Sequence, residues 1–171
     1  LSGYETLVIN GIDYEAFHTS GGIGTFAETL ADRNIAGVNA DYKTVRRVGH
    51  HQYVDFLFND LKLPQDVLTD MFKKYIPTTR KDQVLLYAAA GGYTGNEISY
   101  QTRTYDMMFK PSFIFGQTYT AIEYTTACGI LSMVELFLDG KLPKEGYVRQ
   151  ESVSWEDASS TSFGRFYRED Y

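Results

Sequence analysis

A strand, a glycine-rich turn and a helix follow one another between Tyr14 and Thr29, and this segment does most to limit the folds open to the chain. The letters YEAF alternate as a strand does, and Gly21, Gly22 and Gly24 follow a polar turn. Glycines collect where the backbone needs positive φ or a close approach, and a helix N-terminus can hold an anion. The segment is either a phosphate or carboxylate cradle or a corner that packs a helix (Thr25 to Arg33) on a sheet, and the corner is favoured.

Turn residues and hydrophobic periodicity predict the remaining elements. The pair Asn10-Gly11 suits the type I′ turn of a hairpin, and apolar residues at helical spacing mark amphipathic helices. The predicted elements are a hairpin over Thr6 to Phe17, strands over Tyr42 to Val48, Asp82 to Ala90, Ile98 to Met108 and Gly146 to Val153, and helices after His50-His51, over Gln65 to Tyr75 and over Thr118 to Leu138.

Three features of the second half carry further expectations. Asp82 to Ala90 alternates little, so we expect a strand buried on both faces, and YTGN after it is expected to form the tip of an antiparallel pair. Thr118 to Leu138 is apolar nearly all round, which predicts a helix buried in the domain or at an interface. Ser154 to Tyr171 is expected to be a polar, partly helical tail anchored by aromatic residues.

The order of these elements predicts an α+β fold, a mixed and largely antiparallel sheet with helices packed on one face. The length of 171 residues suits one domain over 1-171. The chain has no starting Met and begins close to strand-like sequence, which favours excision from a longer protein or processing.

Composition limits the partners and the compartment. The 14 Tyr and 11 Phe predict an aromatic core or interface, and a net charge of −6 without a basic run argues against nucleic acid. Cys128 is the single cysteine, so no internal disulfide forms, which fits a reducing compartment such as the cytoplasm. No stretch is expected to span a membrane, and LSGYETL does not resemble a signal peptide.

Several kinds of chemistry are disfavoured by the sequence. His50 and His51 are adjacent and diverge in a strand or helix, so a metal site is not expected. Cys128 lies in an apolar helix and Ser20 lacks the G-x-S-x-G frame, so neither is favoured as a nucleophile. The glycine turn reads G-G-x-G without a second βα unit, so the chain has no complete dinucleotide-binding fold.

Anion recognition is the chemistry that the strand YKTVRRV offers. Alternation places Thr44 and Arg46 on one face of the strand. Arg grips carboxylates bidentately, so this pair predicts a carboxylate clamp, with Lys43 beside it. The alternative is a solvated edge strand whose charges, including Arg47, discourage aggregation.

Motifs along most of the chain resemble one enzyme family. They are YEAFHTSGGIGTFAETL (Tyr14 to Leu30), YKTVRRVGH (Tyr42 to His50), FLFNDLKL (Phe56 to Leu63), TAIEYTTACG (Thr120 to Gly129), GKLPKEGYVRQESV (Gly140 to Val153) and FGRFY (Phe163 to Tyr167). In this order they resemble the C-terminal catalytic and dimerisation domain of the saccharopine dehydrogenase family, which includes saccharopine reductases and carboxynorspermidine dehydrogenases. The chain departs from that pattern at His18, Arg47 and Val48.

The resemblance implies a homodimeric, NAD- or NADP-dependent oxidoreductase that acts on a secondary-amine acid. The dinucleotide would bind a Rossmann domain absent from this chain, and residues 154-171 would return toward that domain. No catalytic acid or base follows from the resemblance. The residues that it places at the substrate are Thr44, Arg46, Lys43, Thr19, Ser20 and Gly21, and it gives His50 a role in ordering the strand-to-helix turn.

Two non-enzymatic alternatives stay open. One is a family member that has lost its chemistry and serves as a binding or scaffold module. The other, from composition alone, is an aromatic-rich interaction domain with no small-molecule site.

Overall fold

The computed structural model describes residues 1–94 and 99–168. It forms two compact units, Leu1–Thr78 and Thr79–Tyr171. The expectation of a single domain stays a prediction.

The first unit is built on a three-stranded antiparallel sheet. Strand β1 (Glu5–Ile9) pairs with β2 (Ile12–Phe17), which pairs in turn with β3 (Thr44–Arg47). Asn10 and Gly11, with φ of 52° and 73°, join β1 to β2. Positive φ at both turn residues is the type I′ geometry that suits strand twist. The predicted hairpin is therefore confirmed.

The helices of the first unit lie between β2 and β3 and after β3, in the regions where the sequence predicts them. The first unit contains α1 (Phe26–Asp32), α2 (His50–Asp55), a π-helical continuation (Phe56–Asp60) and α3 (Gln65–Tyr75). The glycine turn thus leads from β2 toward α1, as predicted. The buried apolar side chains of the first unit include Ile9, Tyr14, Ala16, Phe17 and Leu68.

The second unit contains two antiparallel hairpins. Strand β4 (Val84–Thr94) pairs with β5 (Ser99–Phe109), and β6 (Ser112–Ile114) pairs with β7 (Gln117–Tyr119). The short hairpin was not predicted, because its turn uses Phe115 at φ 51°, a conformation uncommon for a large side chain. The predicted YTGN loop tip and Ile98 lie partly or wholly outside the described residues.

Helix α4 (Ala121–Leu138) organises the second unit. Its first turn is fixed by a capping box between Thr120 and Glu123, and the two carboxylate oxygens of Asp82 accept the amides of Ala121 and Ile122, each at 2.8 Å. These bonds satisfy amides that a helix N-terminus leaves without partners.

The tail after α4 packs back on the same unit. It contains a 3-10 turn (Gln150–Ser152), α5 (Trp155–Ser160) and a second 3-10 turn (Gly164–Tyr167). Phe166 belongs to the buried core, and the Tyr167 hydroxyl donates to the carbonyl oxygen of Thr125 in α4. The aromatic residues of the tail therefore anchor it by packing against α4, as expected. The expected return of the tail toward another domain stays a prediction.

The α+β class is confirmed, with all described strand pairs antiparallel. The described strands lie in three small sheets rather than in one mixed sheet. Two local expectations were wrong. Tyr87 to Tyr93 of β4 are exposed rather than buried, because the core packs against the other end of the hairpin, at Val84 and Phe109. Residues 146–153 form no strand. Arg149 has extended dihedrals (φ −71°, ψ 134°), but no described strand pairs with this segment, and Gln150–Ser152 form a 3-10 turn.

The expectation that no stretch could span a membrane also needs correction. Helix α4, with 18 residues, is long and apolar enough to do so by length and composition. One such helix is weak evidence for a membrane span, because the core helix of a soluble protein passes the same test. Tyr124, Cys128 and Leu136 of α4 are buried within the unit.

Candidate functional site

One face of the three-stranded sheet brings the predicted carboxylate clamp together. In the β2–β3 ladder Phe17 is opposite Thr44, and Glu15 is opposite Arg46. Directly opposed residues of antiparallel strands share a face. The prediction that Thr44 and Arg46 share one face is confirmed, and we call this the Arg46 face.

The glycine turn is joined to the Arg46 face through two hydroxyl groups. Thr19 Oγ1 and Thr44 Oγ1 lie 2.6 Å apart and share a hydrogen bond. Thr19 is exposed and Thr44 is half-buried. Ser20 and Gly21, the next two residues of the turn, are exposed, and Gly21 has φ 93°. Two predicted site segments, distant in sequence, thus meet at one point.

Arg46 is the cation of this face. Its side chain is exposed, and Nη1 donates to the carbonyl oxygen of Val45 at 3.0 Å. Among the described residues, no carboxylate lies within ion-pair distance of its guanidinium. The remaining guanidinium N–H groups can therefore bind a carboxylate bidentately.

Lys43 and Arg47 do not belong to the Arg46 face. Lys43 Nζ lies 2.8 Å from a Glu5 oxygen and 3.4 Å from an Asp41 oxygen. The hydrogen bond with Glu5 raises the pKa of Lys43. Arg47 lies over the ring of Tyr14, 4.8 Å from its centroid, on the opposite face. Lys43 is thus occupied by two carboxylates rather than placed beside Arg46.

A buried carboxylate underlies the site, and sequence reasoning missed its role. Glu15 is 1% exposed, and its two oxygens accept the backbone N–H groups of Gly49 (3.0 Å) and His51. Gly49 is the N-cap of α2, with φ 106°, and has no side chain to cap the helix. Glu15 therefore supplies the cap that α2 lacks.

The two histidines of α2 pack on a single aromatic ring. The His50 ring stacks on Phe17 with centroids 6.0 Å apart and planes at 11°, and the His51 ring meets Phe17 edge-on at 5.2 Å. His51 Nε2 also lies 3.1 Å from the carbonyl oxygen of Leu1. Their adjacency predicts that the two side chains diverge, but both rings contact the same side chain, Phe17.

The charge state of His50 depends on its burial and on the charged groups near it. Partial burial lowers the pKa of His50, the positive charge of Arg46 lowers it further, and Glu15 opposes the shift. His51 adds a smaller lowering. The lowered pKa favours the neutral form of the His50 imidazole at pH 7, and Arg46 is a permanent cation near it.

His18 stands at the other end of the glycine turn. Its Nε2 lies 2.7 Å from an Asp41 oxygen, and its Nδ1 lies 3.2 Å from Ser2 Oγ. The hydrogen bond with His18 lowers the pKa of Asp41. These bonds tie residue 18 to the N-terminal segment and to the approach to β3, so His18 serves to order the turn.

The second unit contains an apolar cavity of about 490 Å³. Cys128, 2% exposed, lies on its wall, and burial raises the pKa of this thiol, which keeps it protonated and a poor nucleophile. The cavity is lined by Ile114, Phe115, Tyr119, Glu123, Tyr124, Ala127, Cys128, Leu131 and Phe163. Its walls offer shape and aromatic contact but little charge.

The described residues do not fit a nicotinamide dinucleotide. Such a cofactor binds where parallel β-α-β units place a helix N-terminus at its pyrophosphate. Every described strand pair here is antiparallel, and the glycine turn leads into a helix of only seven residues. Within the described ranges, no cluster of three His, Cys, Asp or Glu side chains is arranged to hold a metal ion.

No family model matches the chain, and no solved structure matches it significantly. The proposed function therefore depends on the residues themselves, chiefly on those of the Arg46 face.

Proposed function

We propose that this chain is the substrate-binding and dimerisation part of an NAD(P)-dependent oxidoreductase resembling saccharopine dehydrogenases. It acts on the CH–NH bond of a secondary-amine acid such as saccharopine or carboxynorspermidine. The nicotinamide cofactor belongs to a domain outside this chain, so the chain alone is inactive. The enzyme is a cytoplasmic homodimer that serves lysine or polyamine metabolism.

The observation that carries this proposal is the convergence at the Arg46 face. Arg46, Thr44 and Thr19 come from two of the motifs that resemble the family, and the Thr19–Thr44 hydrogen bond joins them. A guanidinium that has no carboxylate partner among the described residues, on the same strand face as the Thr44 hydroxyl, suits the carboxylate of an amino acid. Lys43 contributes less to this site, because Glu5 and Asp41 hold it.

Turnover by the full-length protein tests the proposal. Saccharopine and carboxynorspermidine are each supplied with NAD or NADP, and dinucleotide reduction is followed by absorbance. We expect oxidation of at least one of these secondary-amine acids. A complete absence of turnover with both acids, in both reaction directions, would contradict the proposal.

A non-catalytic interaction module of the same fold is the second candidate. It is favoured by the amount of apolar surface on α4, where Ile130 is 67% exposed and Leu138 is 77% exposed. The long β4–β5 hairpin also exposes both of its faces over residues 86–93. The sequence upstream of Leu1 separates the candidates, since an intact G-x-G-x-x-G after a first strand favours the enzyme.

A further inference from the structure

Glu15 is a buried acid that substrate binding by itself does not explain. Its two oxygens bind the amides of Gly49 and His51, which flank His50 in sequence. Two anchored amides, one on each side, fix the backbone of His50. Because Glu15 lies opposite Arg46 in the ladder, the same residue links the positions of His50 and Arg46.

The His50 side chain is held without consuming its nitrogen atoms. Its ring rests parallel on Phe17, so contact is made through the ring face. Among the described residues, no group forms a hydrogen bond with either ring nitrogen, and the residue remains exposed. A positioned imidazole with accessible nitrogens and a neutral charge state can accept a proton.

Substrate chemistry places a proton donor beside Arg46. In saccharopine, the secondary-amine nitrogen is bonded to a carbon that carries one of the carboxylates. A guanidinium that grips this carboxylate therefore holds the ammonium group within a few bonds of itself. Residues that can reach it belong to the Arg46 face or border it, and His50 over Phe17 is the titratable side chain there with open nitrogens.

We propose that His50 exchanges the proton of the substrate's secondary ammonium group, and that Glu15 is the positioning residue that holds His50 in place. The inference rests on the proposed function. In the oxidative direction the substrate N–H bond breaks, its electron pair stays on the substrate nitrogen, and the proton forms a new N–H bond on the imidazole. The amine then has the free electron pair needed when its neighbouring carbon gives up hydride to NAD(P)+, the oxidant that the proposed function supplies. In reverse, the imidazolium returns the proton.

The charged groups around His50 support this direction of transfer. Arg46 lies on the sheet face beneath it, Glu15 lies under its backbone, and His51 follows it on α2. Burial and the Arg46 charge favour the neutral ring, while the Glu15 carboxylate stabilises the imidazolium that forms. This balance suits a group that must accept a proton near pH 7 and release it again.

Kinetics and histidine NMR on the full-length protein test the proposal together. In wild type, kcat/KM for amine oxidation should rise with pH through the pKa of His50 and then level off. His50→Gln should remove this limb and lower kcat about a hundredfold, the scale of general base catalysis. His18→Gln is the matched control, because it keeps His50 and should retain the limb.

The spectroscopic arm follows the His50 ring itself. With labelled histidine, the His50 signal is assigned by its absence in His50→Gln, and N-methyl-glutamate is the probe. We expect the probe to shift the His50 signal in wild type, and we expect Glu15→Gln to change the His50 titration. An unchanged His50 titration in the folded variant would show that Glu15 affects neither the position nor the charge state of His50.

The outcomes separate this inference from the proposed function. An active wild type whose His50→Gln variant keeps the acidic limb overturns the proton-exchange role and leaves the proposed function standing. An active wild type whose His50 signal ignores the probe does the same. An inactive wild type overturns both. If Glu15→Gln does not fold, Glu15→Asp, which keeps the carboxylate on a shorter stem, replaces it and should perturb the His50 signal.

Discussion

Arg46 lies directly opposite Glu15 in the β2–β3 ladder, yet the two side chains form no ion pair. The reason lies in α2, because the Glu15 oxygens accept the amides of Gly49 and His51. The Glu15 carboxylate is thereby hydrogen-bonded to the N-terminus of α2, and the Arg46 guanidinium is available to an external carboxylate. This division of roles underlies both proposals.

Removing the Glu15 carboxylate should destabilise the first unit. Glu15→Gln keeps the size but replaces one acceptor oxygen with an amide donor, which faces a backbone N–H group. We expect a loss of about 1.5–3 kcal/mol in the free energy of unfolding, the range for hydrogen bonds to a charged group. Urea denaturation followed by circular dichroism measures it.

Glu5→Gln is the matched control for that experiment. Glu5 also contacts a cation, Lys43, but its side chain is 55% exposed. Exposed ion pairs contribute about 0–1 kcal/mol. Equal losses in the two variants would show that the buried carboxylate has no special role in holding α2.

Protonation of His50 should reduce stability at acidic pH. The pKa of His50 is lower in the folded chain than its ordinary value of 6.5, so the unfolded chain takes up this proton more readily. The stability associated with the neutral ring is present above about pH 6.5 and is lost as pH falls through that value toward the folded pKa.

Melting temperatures measured across this pH window show whether stability falls, as predicted, when His50 becomes protonated. Wild type should lose more stability than His50→Gln between neutral and mildly acidic pH, because the variant has no proton to gain at this position. A His18→Gln control should retain the His50 contribution. Identical pH dependence in wild type and His50→Gln would contradict the packing described for His50.

Cys128 should resist thiol reagents in the folded protein. The side chain is buried at the apolar cavity and burial raises the pKa of its thiol, so little thiolate is present. We expect negligible reaction with a chromogenic disulfide under native conditions and one thiol per chain after unfolding in guanidinium chloride. Rapid native labelling would mean that the cavity wall opens.

The interior of α4 should be more sensitive to truncation than its exposed end. Leu136 is 0% exposed and Leu138 is 77% exposed. Leu136→Ala should cost about 2–5 kcal/mol, the range for a buried leucine, while Leu138→Ala should change stability by about 0.5 kcal/mol or less. Urea denaturation of the two variants measures the difference. A comparable cost at both positions would indicate that the exposed end of α4 is covered in the assembled protein.

Local signals in the sequence were enough for the elements that depend on neighbouring residues. The β1–β2 hairpin follows from Asn10-Gly11, and α3 follows from apolar periodicity and a proline at each end. Turn geometry determines the hairpin, and the apolar face of a helix determines α3. They need no knowledge of the rest of the chain.

Elements that depend on distant partners were harder to predict. β4 reads as a doubly buried strand, but burial depends on what covers it, and among the described strands only β5 pairs with it. Residues 146–153 have strand-like letters but no partner strand among those described. Strand propensity mostly reports fit to neighbours, so it fails when the neighbours are missing.

The candidate site was predicted in part for the same reason. Alternation alone places Thr44 and Arg46 on one face, and the structure agrees. The Glu15 contacts span more than thirty residues of sequence and could not be read from spacing. One signal was available, since Gly49 cannot cap a helix with a side chain and α2 therefore needs an acceptor from elsewhere.

The most direct measurement is the KM of the full-length protein for the proposed secondary-amine acid in Arg46→Ala and Arg47→Ala. The two arginines are adjacent and equally charged, but Arg46 lies on the proposed substrate face and Arg47 lies over Tyr14 on the other. We predict that Arg46→Ala raises KM by an amount equivalent to about 2–5 kcal/mol with cofactor binding unchanged, and that Arg47→Ala leaves KM near the wild-type value. An unchanged KM in Arg46→Ala, or equal effects of the two substitutions, would contradict the account.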